Sequence, residues 1–305
     1  MMHSDEVIEP GPAENKSSFA KFQENVWQSQ QLQNRVTHIL SHIILLSGAV
    51  VMVLPFIWMI STSFKEPGQT FVYPPQFIPD PITFDNYPNM WNALPFAKFF
   101  FNSVKIASLN TIGQLITCSM AAFAFSVLIF RGRDLLFLLL IATLMIPYQV
   151  TLIPTFILFS KIGWVGTHLP LWVPAFWGGA FGTFLLRQFY LTIPIDLAES
   201  ARIDGASIWQ IYRHVYIPLS GPPMAALAIF TFMWTWNDLL NPLIYVNELD
   251  KLTLTIGLSF FQNQYGGKWT LMMAGAVVSI LPIIIIFFFA QKYFIQGIAT
   301  TGVKR

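Results

Sequence analysis

Long apolar stretches recur along this chain and constrain its fold more than any other feature. An α-helix needs about 20 predominantly apolar residues to cross the hydrocarbon core of a bilayer. Of the 305 residues, 54% are hydrophobic and 10% are charged, whereas proteins of ordinary soluble composition carry about 25% charged residues. The sequence therefore predicts an all-α integral membrane protein. Six stretches are long enough to form transmembrane helices, at residues 38–62, 101–129, 135–159, 168–189, 222–245 and 271–293.

The distribution of basic residues predicts how these spans are oriented. Lysine and arginine concentrate near the cytoplasmic ends of membrane spans. With the N-terminus inside, all seven arginines fall on the cytoplasmic side, and the outer side carries lysines alone. We therefore expect a multi-pass protein of the cytoplasmic (inner) cell membrane, with both termini in the cytoplasm and lipid around the spans.

The segments outside the spans differ in composition. Residues 1–37 are acidic, Gln-rich and without a secretory signal, which predicts a loosely ordered cytoplasmic N-terminal tail before a retained first span at 38–62. The segment 63–97 is rich in proline and aromatic residues, which predicts an irregular extracytoplasmic loop. Residues 292–305 are expected to form a cytoplasmic C-terminal tail.

The loop at 190–220, between the fourth and fifth predicted spans, combines charged residues with glycine and proline. Asp196 and Glu199 have the spacing of a capping box, which predicts a short helix from about Leu197. Gly205 is placed to end that helix, because a left-handed residue after a helix is most favourable for glycine. The pattern therefore predicts a short cytoplasmic helix followed by a tight turn.

A second helix is predicted directly after the turn. Ser207 and Gln210 repeat the capping-box spacing, and Pro218 is placed to stop the helix. The first helix presents the small residues Ala198 and Ala201 beside charged ones, a shape suited to a groove on another protein. An amphipathic connector lying on the membrane surface is the alternative.

The spacing in this loop resembles the EAA motif of binding-protein-dependent ABC importer permeases. The motif consists of EAA, three residues, Gly, nine residues, Ile, any residue and Leu-Pro. This chain has Glu199-Ser200-Ala201, Gly205, and then Val215, Ile217 and Pro218 at that spacing. Serine, valine and isoleucine replace alanine, isoleucine and leucine of the motif, but the acid, the glycine and the proline are present.

Other segments resemble the carbohydrate-type, MalG-like permeases of the same family. The resemblance implies an ABC type I importer transmembrane domain, with a core at residues 98–291 that includes the coupling loop at 190–220. The segments that carry it are residues 145–154, 184–189, 203–207, 236–238 and 291–297.

The resemblance also implies partners and roles. The partners are an ABC ATPase dimer, a second, MalF-like permease subunit in a heterodimer, and an extracytoplasmic solute-binding protein. ATP and Mg²⁺ belong to the ATPase, so this chain is expected to bind no cofactor. The residues implied in coupling to the ATPase are Glu199, Ala201, Arg202, Asp204, Gly205 and Pro218.

Polar and aromatic residues late in the fifth predicted span are candidates for a substrate path. Asp238 is an acid within an apolar span, and such residues usually face a cavity or a partner. In a continuous helix, Trp234, Asp238, Asn241 and Tyr245 share one face at i, i+4, i+7 and i+11. Aromatic rings beside acids and amides suit carbohydrate, and a polar helix–helix contact within the heterodimer is the alternative.

Two further patterns bear on helix packing. Asn110, Gln114 and Thr117 share one face of the second predicted span, which is expected to face a helix bundle rather than lipid. Gly178 and Gly182 form a GxxxG pair in the fourth span, which predicts a close approach of helices, either within the chain or at a subunit interface.

Several functions are excluded or disfavoured by missing motifs. The chain lacks the GxxxxGK[ST] of a P-loop, and Gly266-Gly267-Lys268 is followed by Trp269. It also lacks HExxH and GxSxG, so no catalytic residue is predicted. His38 and His42 have no third ligand nearby, so no metal site is predicted. The net charge of +2 does not indicate a nucleic-acid partner.

The sequence therefore predicts a non-enzymatic permease subunit that moves a sugar or oligosaccharide across the membrane, driven by a separate ATPase. A permease of the same superfamily for glycerol-3-phosphate or a peptide is the first alternative. A secondary transporter is the second, although it normally needs inverted repeats and ion-coupling acids at the midplane.

Overall fold

The computed structural model describes the backbone of residues 14–263 and 267–302, and the side chains of most residues between 34 and 291. These residues form helices and loops with no β-strand, which confirms the predicted all-α class. The helices are α1 (Glu14–Ser63), α2 (Asn86–Ala93), α3 (Phe96–Val127), α4 (Arg133–Ala142), α5 (Tyr148–Lys161), α6 (Leu169–Trp172), α7 (Ala180–Tyr190), α8 (Asp196–Ile203), α9 (Ile208–Ile211), α10 (Ile217–Leu219), α11 (Gly221–Trp236), α12 (Leu240–Tyr245), α13 (Leu254–Asn263) and α14 (Trp269–Gly302).

Four of the described helical segments are long and apolar enough to cross a membrane, and two bent helix pairs raise the number to six if each pair is one span. Six is the number that the sequence predicts. Each of the two pairs contains a break of at most four residues, with a bend of 99° in the first and 78° in the second. The described helices therefore provide four to six spans, and neither bent pair is a straight helix.

The chain divides into two compact units, residues 1–58 and 59–305. In the first unit, α1 begins at Glu14, so the prediction of a loosely ordered tail is wrong for residues 14–37. This stretch contains no glycine or proline and is rich in good helix formers, so the helix of the apolar span extends through it. Residues 1–13 lie outside the described residues. Side chains from residue 34 to residue 57 are exposed, as a lipid-facing span requires.

The segment 63–97 is less irregular than predicted. It contains a 3₁₀ helix at Pro67–Gln69 and the two-turn helix α2. The buried Asn86 side chain donates hydrogen bonds to the backbone oxygens of Ser63 (2.9 Å) and Lys65 (2.7 Å). These bonds hold the start of α2 against the chain that leaves the first span.

The second unit is organised around α3, a 32-residue helix that begins five residues before the predicted start of its span. Two hydrophobic clusters pack along it. The outer cluster, toward its N-terminal end, includes Phe99, Trp236 and Phe261. The inner cluster, toward its C-terminal end, includes Phe123 and residues of the loop at 190–220.

Three predicted spans are interrupted. The third bends where Pro147 follows the 3₁₀ helix Thr143–Met145, because the residue before a proline is driven out of the helical region. The fourth contains the 3₁₀ helix Val173–Trp177 and then a break before α7. The fifth ends at Trp236 rather than at residue 245. Continuous helices over 135–159, 168–189 and 222–245 are therefore a wrong prediction.

The sixth span is a continuous helix and longer than predicted. α14 includes its predicted span, 271–293, and continues to Gly302, so residues 292–302 of the predicted tail are helical, and residues 303–305 lie outside the described residues. Large apolar side chains between Leu281 and Phe289 are exposed, in agreement with a lipid-facing surface.

Candidate functional site

The first helix of the loop at 190–220 is α8, and its start differs from the prediction. Its N-cap residue is Ile195, and no side chain caps it, so the predicted Asp196–Glu199 capping box is wrong. Both acids lie instead in the first turn, where a negative charge is stabilised by the helix dipole. The Ser200 hydroxyl donates to the Asp196 backbone oxygen at 2.7 Å.

The end of α8 agrees with the prediction. Gly205 has φ +82°, the left-handed region that favours glycine. Its N–H donates to the oxygen of Arg202 at 3.0 Å, and the N–H of Ala206 donates to the oxygen of Ala201 at 2.9 Å. These two bonds are a Schellman motif. They fix the angle at which the chain leaves α8.

The second helix is capped as predicted but does not stop where predicted. The Ser207 hydroxyl accepts from the Gln210 N–H (3.3 Å), and the Gln210 side chain accepts from the Ser207 N–H (2.7 Å). The helical segment then continues through the π-helix Tyr212–Tyr216 and past Pro218 to Leu219. A π-turn precedes the proline, where the missing N–H and the ring disrupt ordinary i→i−4 bonding.

A buried aromatic cluster joins the loop to the transmembrane helices. Ala198 of α8 has no exposed surface and packs within this inner cluster. The Ser119 hydroxyl on α3 and the Tyr212 hydroxyl share a hydrogen bond of 2.8 Å. The Tyr216 ring lies 5.0 Å from that of Phe123 on α3 and 5.3 Å from that of Tyr190 on α7, centroid to centroid. A movement of the loop therefore acts on α3 and α7 directly.

The six predicted coupling residues lie along this loop, on α8, on the turn after it and on α10. Ala201 is half-buried against the inner cluster, and the other five are exposed. Exposed apolar side chains accompany them, among which Ile203 is 87% exposed. The prediction missed the buried side, formed by Ala198, Tyr212 and Tyr216. The sequence does indicate this buried side, because the two tyrosines are spaced at i, i+4, which places both on one helix face.

The four candidate substrate-path residues do not share a helix face. The helix α11 ends at Trp236, and the Asp238 carboxylate accepts from the Asn241 backbone N–H (3.1 Å) and side-chain N–H (2.6 Å). Aspartate and asparagine bond local backbone groups in this way and so compete with helix continuation. Tyr245 is buried in the outer cluster. The prediction of a common face is therefore wrong.

The fourth candidate, Trp234, lines a cavity of about 250 Å³ that the other three candidates do not line. Gln114, the 19th of the 32 residues of α3, also lines it, so the cavity lies near the middle of that helix. No charged residue is among the described residues that line it. The lining residues are Asn110, Gln114, Leu144, Gly179, Ala180, Phe181, Gly182, Leu227, Thr231, Trp234 and Thr235.

One wall of the cavity is the break in the fourth span. Gly178 has φ +92° and Gly179 is extended, so α7 begins only at Ala180, and the predicted GxxxG pair is not on one helix. A Cβ atom on Gly179 would lie 2.5 Å from Gln114 Oε1, and one on Gly182 would lie 2.8 Å from Cys118 Sγ. These glycines therefore serve packing within the chain.

The polar face of α3 lies against this break, in agreement with the prediction that it faces a helix bundle rather than lipid. The Asn110 side chain donates to the Leu171 oxygen at 2.9 Å. The Thr117 hydroxyl donates to the oxygens of Gly113 (2.7 Å) and Ala175 (3.1 Å). Irregular backbone at membrane depth is tolerated when it is buried in protein or lines a cavity, because its polar groups must find partners.

Comparison with known proteins identifies the family. Residues 114–300 match the family model described as binding-protein-dependent transport system inner membrane component. The chain belongs to this family. The matched segment contains the loop at 190–220 and most residues that line the cavity. The resemblance inferred from the EAA spacing is therefore confirmed.

Individual relatives agree with this assignment. The permease is 35% identical over 272 residues (86% of this chain, 91% of the relative) to the osmoprotective compounds uptake permease protein GgtD of Synechocystis sp.. It is 35% identical over 263 residues (84% and 92%) to the arabinooligosaccharides transport system permease protein AraQ of Halalkalibacterium halodurans.

A solved structure shows that the fold is shared. A bacterial ABC transporter involved in the import of the acidic polysaccharide alginate contains a chain that matches this permease with TM-score 0.76 and 24% identity, covering 86% of this chain and 98% of that chain. The likeness supports the predicted ABC importer transmembrane domain.

Proposed function

We propose that this permease carries a sugar or oligosaccharide across the inner membrane as one transmembrane subunit of an ABC importer. The observation that carries the proposal is the coupling loop: a short exposed helix, capped by the Schellman turn at Gly205, with its buried face on α3 and α7. AraQ, whose name specifies arabinooligosaccharides, supports the substrate class.

The geometry suggests how force reaches the membrane. An ATPase seated on the exposed face of α8 would contact Glu199, Arg202 and Asp204, which are exposed. The end of α8 is fixed by the turn at Gly205, and the face of α8 that carries Ala198 is buried. A displacement of α8 should therefore move the aromatic cluster with it rather than bend the loop. ATP and Mg²⁺ are assigned to the partner ATPase, which does the hydrolysis.

The remaining partners follow from the family. We propose that a second, MalF-like permease subunit completes the membrane pathway and that an extracytoplasmic binding protein delivers the solute. With the loop at 190–220 on the cytoplasmic side, six spans place both termini there as well. The core transport domain of this chain is then residues 98–291.

Affinity purification of the full chain from native membranes in mild detergent tests the assembly. We expect a soluble ATPase and a second multi-span permease to co-purify. Recovery of this chain alone, under conditions that keep other membrane complexes intact, would contradict the proposal.

Uptake by cells that express the complete transporter tests the substrate class. The panel contains the neutral sugars lactose, trehalose and arabinotriose, and the anions glycerol 3-phosphate and alginate trisaccharide. Uptake of at least one sugar is the expected result. Uptake confined to glycerol 3-phosphate would replace the sugar assignment with the alternative.

A further inference from the structure

We infer that the cavity beside Gly179 is a binding subsite for a neutral, polyhydroxylated solute, contributed by this chain itself. The inference rests on the proposed transport function and adds to it a place and a charge class for the solute. Four features of the cavity carry it: two side-chain polar groups (the Thr231 hydroxyl and the Gln114 amide N–H) that make no hydrogen bond within the described residues, an exposed indole ring, an uncapped helix start and a lining without charge.

The first feature is a pair of polar groups available for hydrogen bonding. Thr231 is nine-tenths buried and lines the cavity, and within the described part of the chain its hydroxyl makes no hydrogen bond. Its neighbour Thr235 instead bonds the Thr231 backbone oxygen at 2.9 Å, the common arrangement in helices. Gln114 Oε1 accepts from Cys118 Sγ at 3.0 Å, and Gln114 Nε2 has no acceptor among the described residues.

Polar groups that line a cavity and have no protein partner can bond a molecule held there, so these two groups are available to a solute. The glutamine amide is a donor, whereas the threonine hydroxyl both donates and accepts. Sugar hydroxyls also donate and accept, so both groups can be satisfied by one polyhydroxylated molecule.

The second feature is an aromatic surface at the mouth of the cavity. The Trp234 ring lines the cavity, and 68% of its surface is exposed. It is held by the Phe181 ring, whose centroid lies 5.6 Å away. A supported, exposed indole offers a flat apolar face for the C–H face of a sugar ring, beside an N–H that can donate.

The third feature is the start of α7, which opens on the cavity. Gly179 gives this helix no side-chain cap, and Ala180, Phe181 and Gly182 of its first turn line the cavity. The N–H groups of a first helical turn have no partner within the helix. They are therefore available to oxygen atoms of a solute.

The charge class follows from the fourth feature. A fully charged solute buried at membrane depth needs a compensating charge. None of the described lining residues is charged, and a helix N-terminus supplies only about half a unit charge. The cavity therefore favours a neutral sugar over glycerol 3-phosphate or an acidic polysaccharide.

The test is uptake of the panel by cells that contain the complete transporter, with the variants Gln114→Leu, Thr231→Val and Trp234→Ala. We expect a neutral sugar to be transported and each variant to raise its KM by about tenfold, the usual effect of one lost hydrogen bond or contact of this kind. Levels of the chain in the membrane and co-purification of the ATPase should stay unchanged.

The control is Trp177→Ala. Trp177 is 71% exposed, a fraction close to that of Trp234, but it stacks on Trp164 and does not line the cavity. Its KM should stay within about twofold of wild type, a change far smaller than the loss of one contact. A working transporter in which all three cavity variants also stay within that range overturns the subsite, as does a transporter that accepts only anions. Absence of both uptake and a bound ATPase would instead contradict the proposed function.

Discussion

The coupling loop and the break in the fourth span both depend on a glycine with positive φ, Gly205 at +82° and Gly178 at +92°. Around Gly205 the structure is local: the residues that bond across the turn are neighbours in the chain. Around the break it is not, because Gly179 approaches Gln114 and the freed carbonyls are bonded by side chains of α3. The structure of the loop can therefore be predicted from a sequence motif. The structure of the break depends on contacts with a helix more than 50 residues away in the chain.

The largest effect is expected at the locally determined turn. Gly205→Val places a β-branched side chain at positive φ, which strains the backbone by about 1–3 kcal/mol. The chain should still insert, but uptake should fall to background. Gly205→Asn is the matched control, because asparagine tolerates the left-handed region. Normal uptake by Gly205→Val would show that the turn geometry does not matter for coupling.

A smaller loss is expected where the loop meets the membrane helices. Ala198 has no exposed surface, so Ala198→Leu overpacks the inner cluster at a cost of about 1–3 kcal/mol. We expect uptake and ATPase co-purification to decrease together, as measured in membranes with equal amounts of the chain. Glu199→Ala, an exposed change one residue away, should not reproduce a loss of stability in a thermal-shift assay.

A third prediction concerns the break in the fourth span, whose structure depends on contacts with α3. In Gly179→Ala the new methyl group displaces the end of the Gln114 side chain, and we expect a loss of about 1 kcal/mol in stability of the purified complex. The double variant Gly179→Ala/Gln114→Ala should recover most of that loss, since the clash is removed. Equal melting temperatures for the single and double variants would exclude the contact as its cause.

An effect no larger than that at the break is expected for the hydrogen bond between α3 and the loop. Tyr212→Phe removes the buried 2.8 Å bond to the Ser119 hydroxyl and should cost about 1 kcal/mol of stability. The double variant Tyr212→Phe/Ser119→Ala should cost less than the sum of the two single changes, because each single change already removes the bond that the two hydroxyls share. Additive losses would indicate that the two hydroxyls do not stabilise each other.

The predictions from sequence succeeded where neighbouring residues decide the structure. Apolar length determined the spans, and the Ser207–Gln210 box and Gly205 determined the turn between two helices. The predictions failed where the same residue pattern is compatible with two local structures. Asp196 has the spacing of a cap but lies in the first turn, and Pro218 lies within a helical segment that a π-turn allows to continue.

The sequence by itself determined the all-α membrane class, the two-helix loop at 190–220 with its turn at Gly205, and the family. The tertiary structure alone decided that the break in the fourth span lies against α3, and that Trp234 joins Gln114 and Thr231 at one cavity. The physical reason is that lipid offers no partner for a backbone group. The freed carbonyls of the fourth span are therefore bonded by polar side chains of α3, and that proximity is a property of the folded chain.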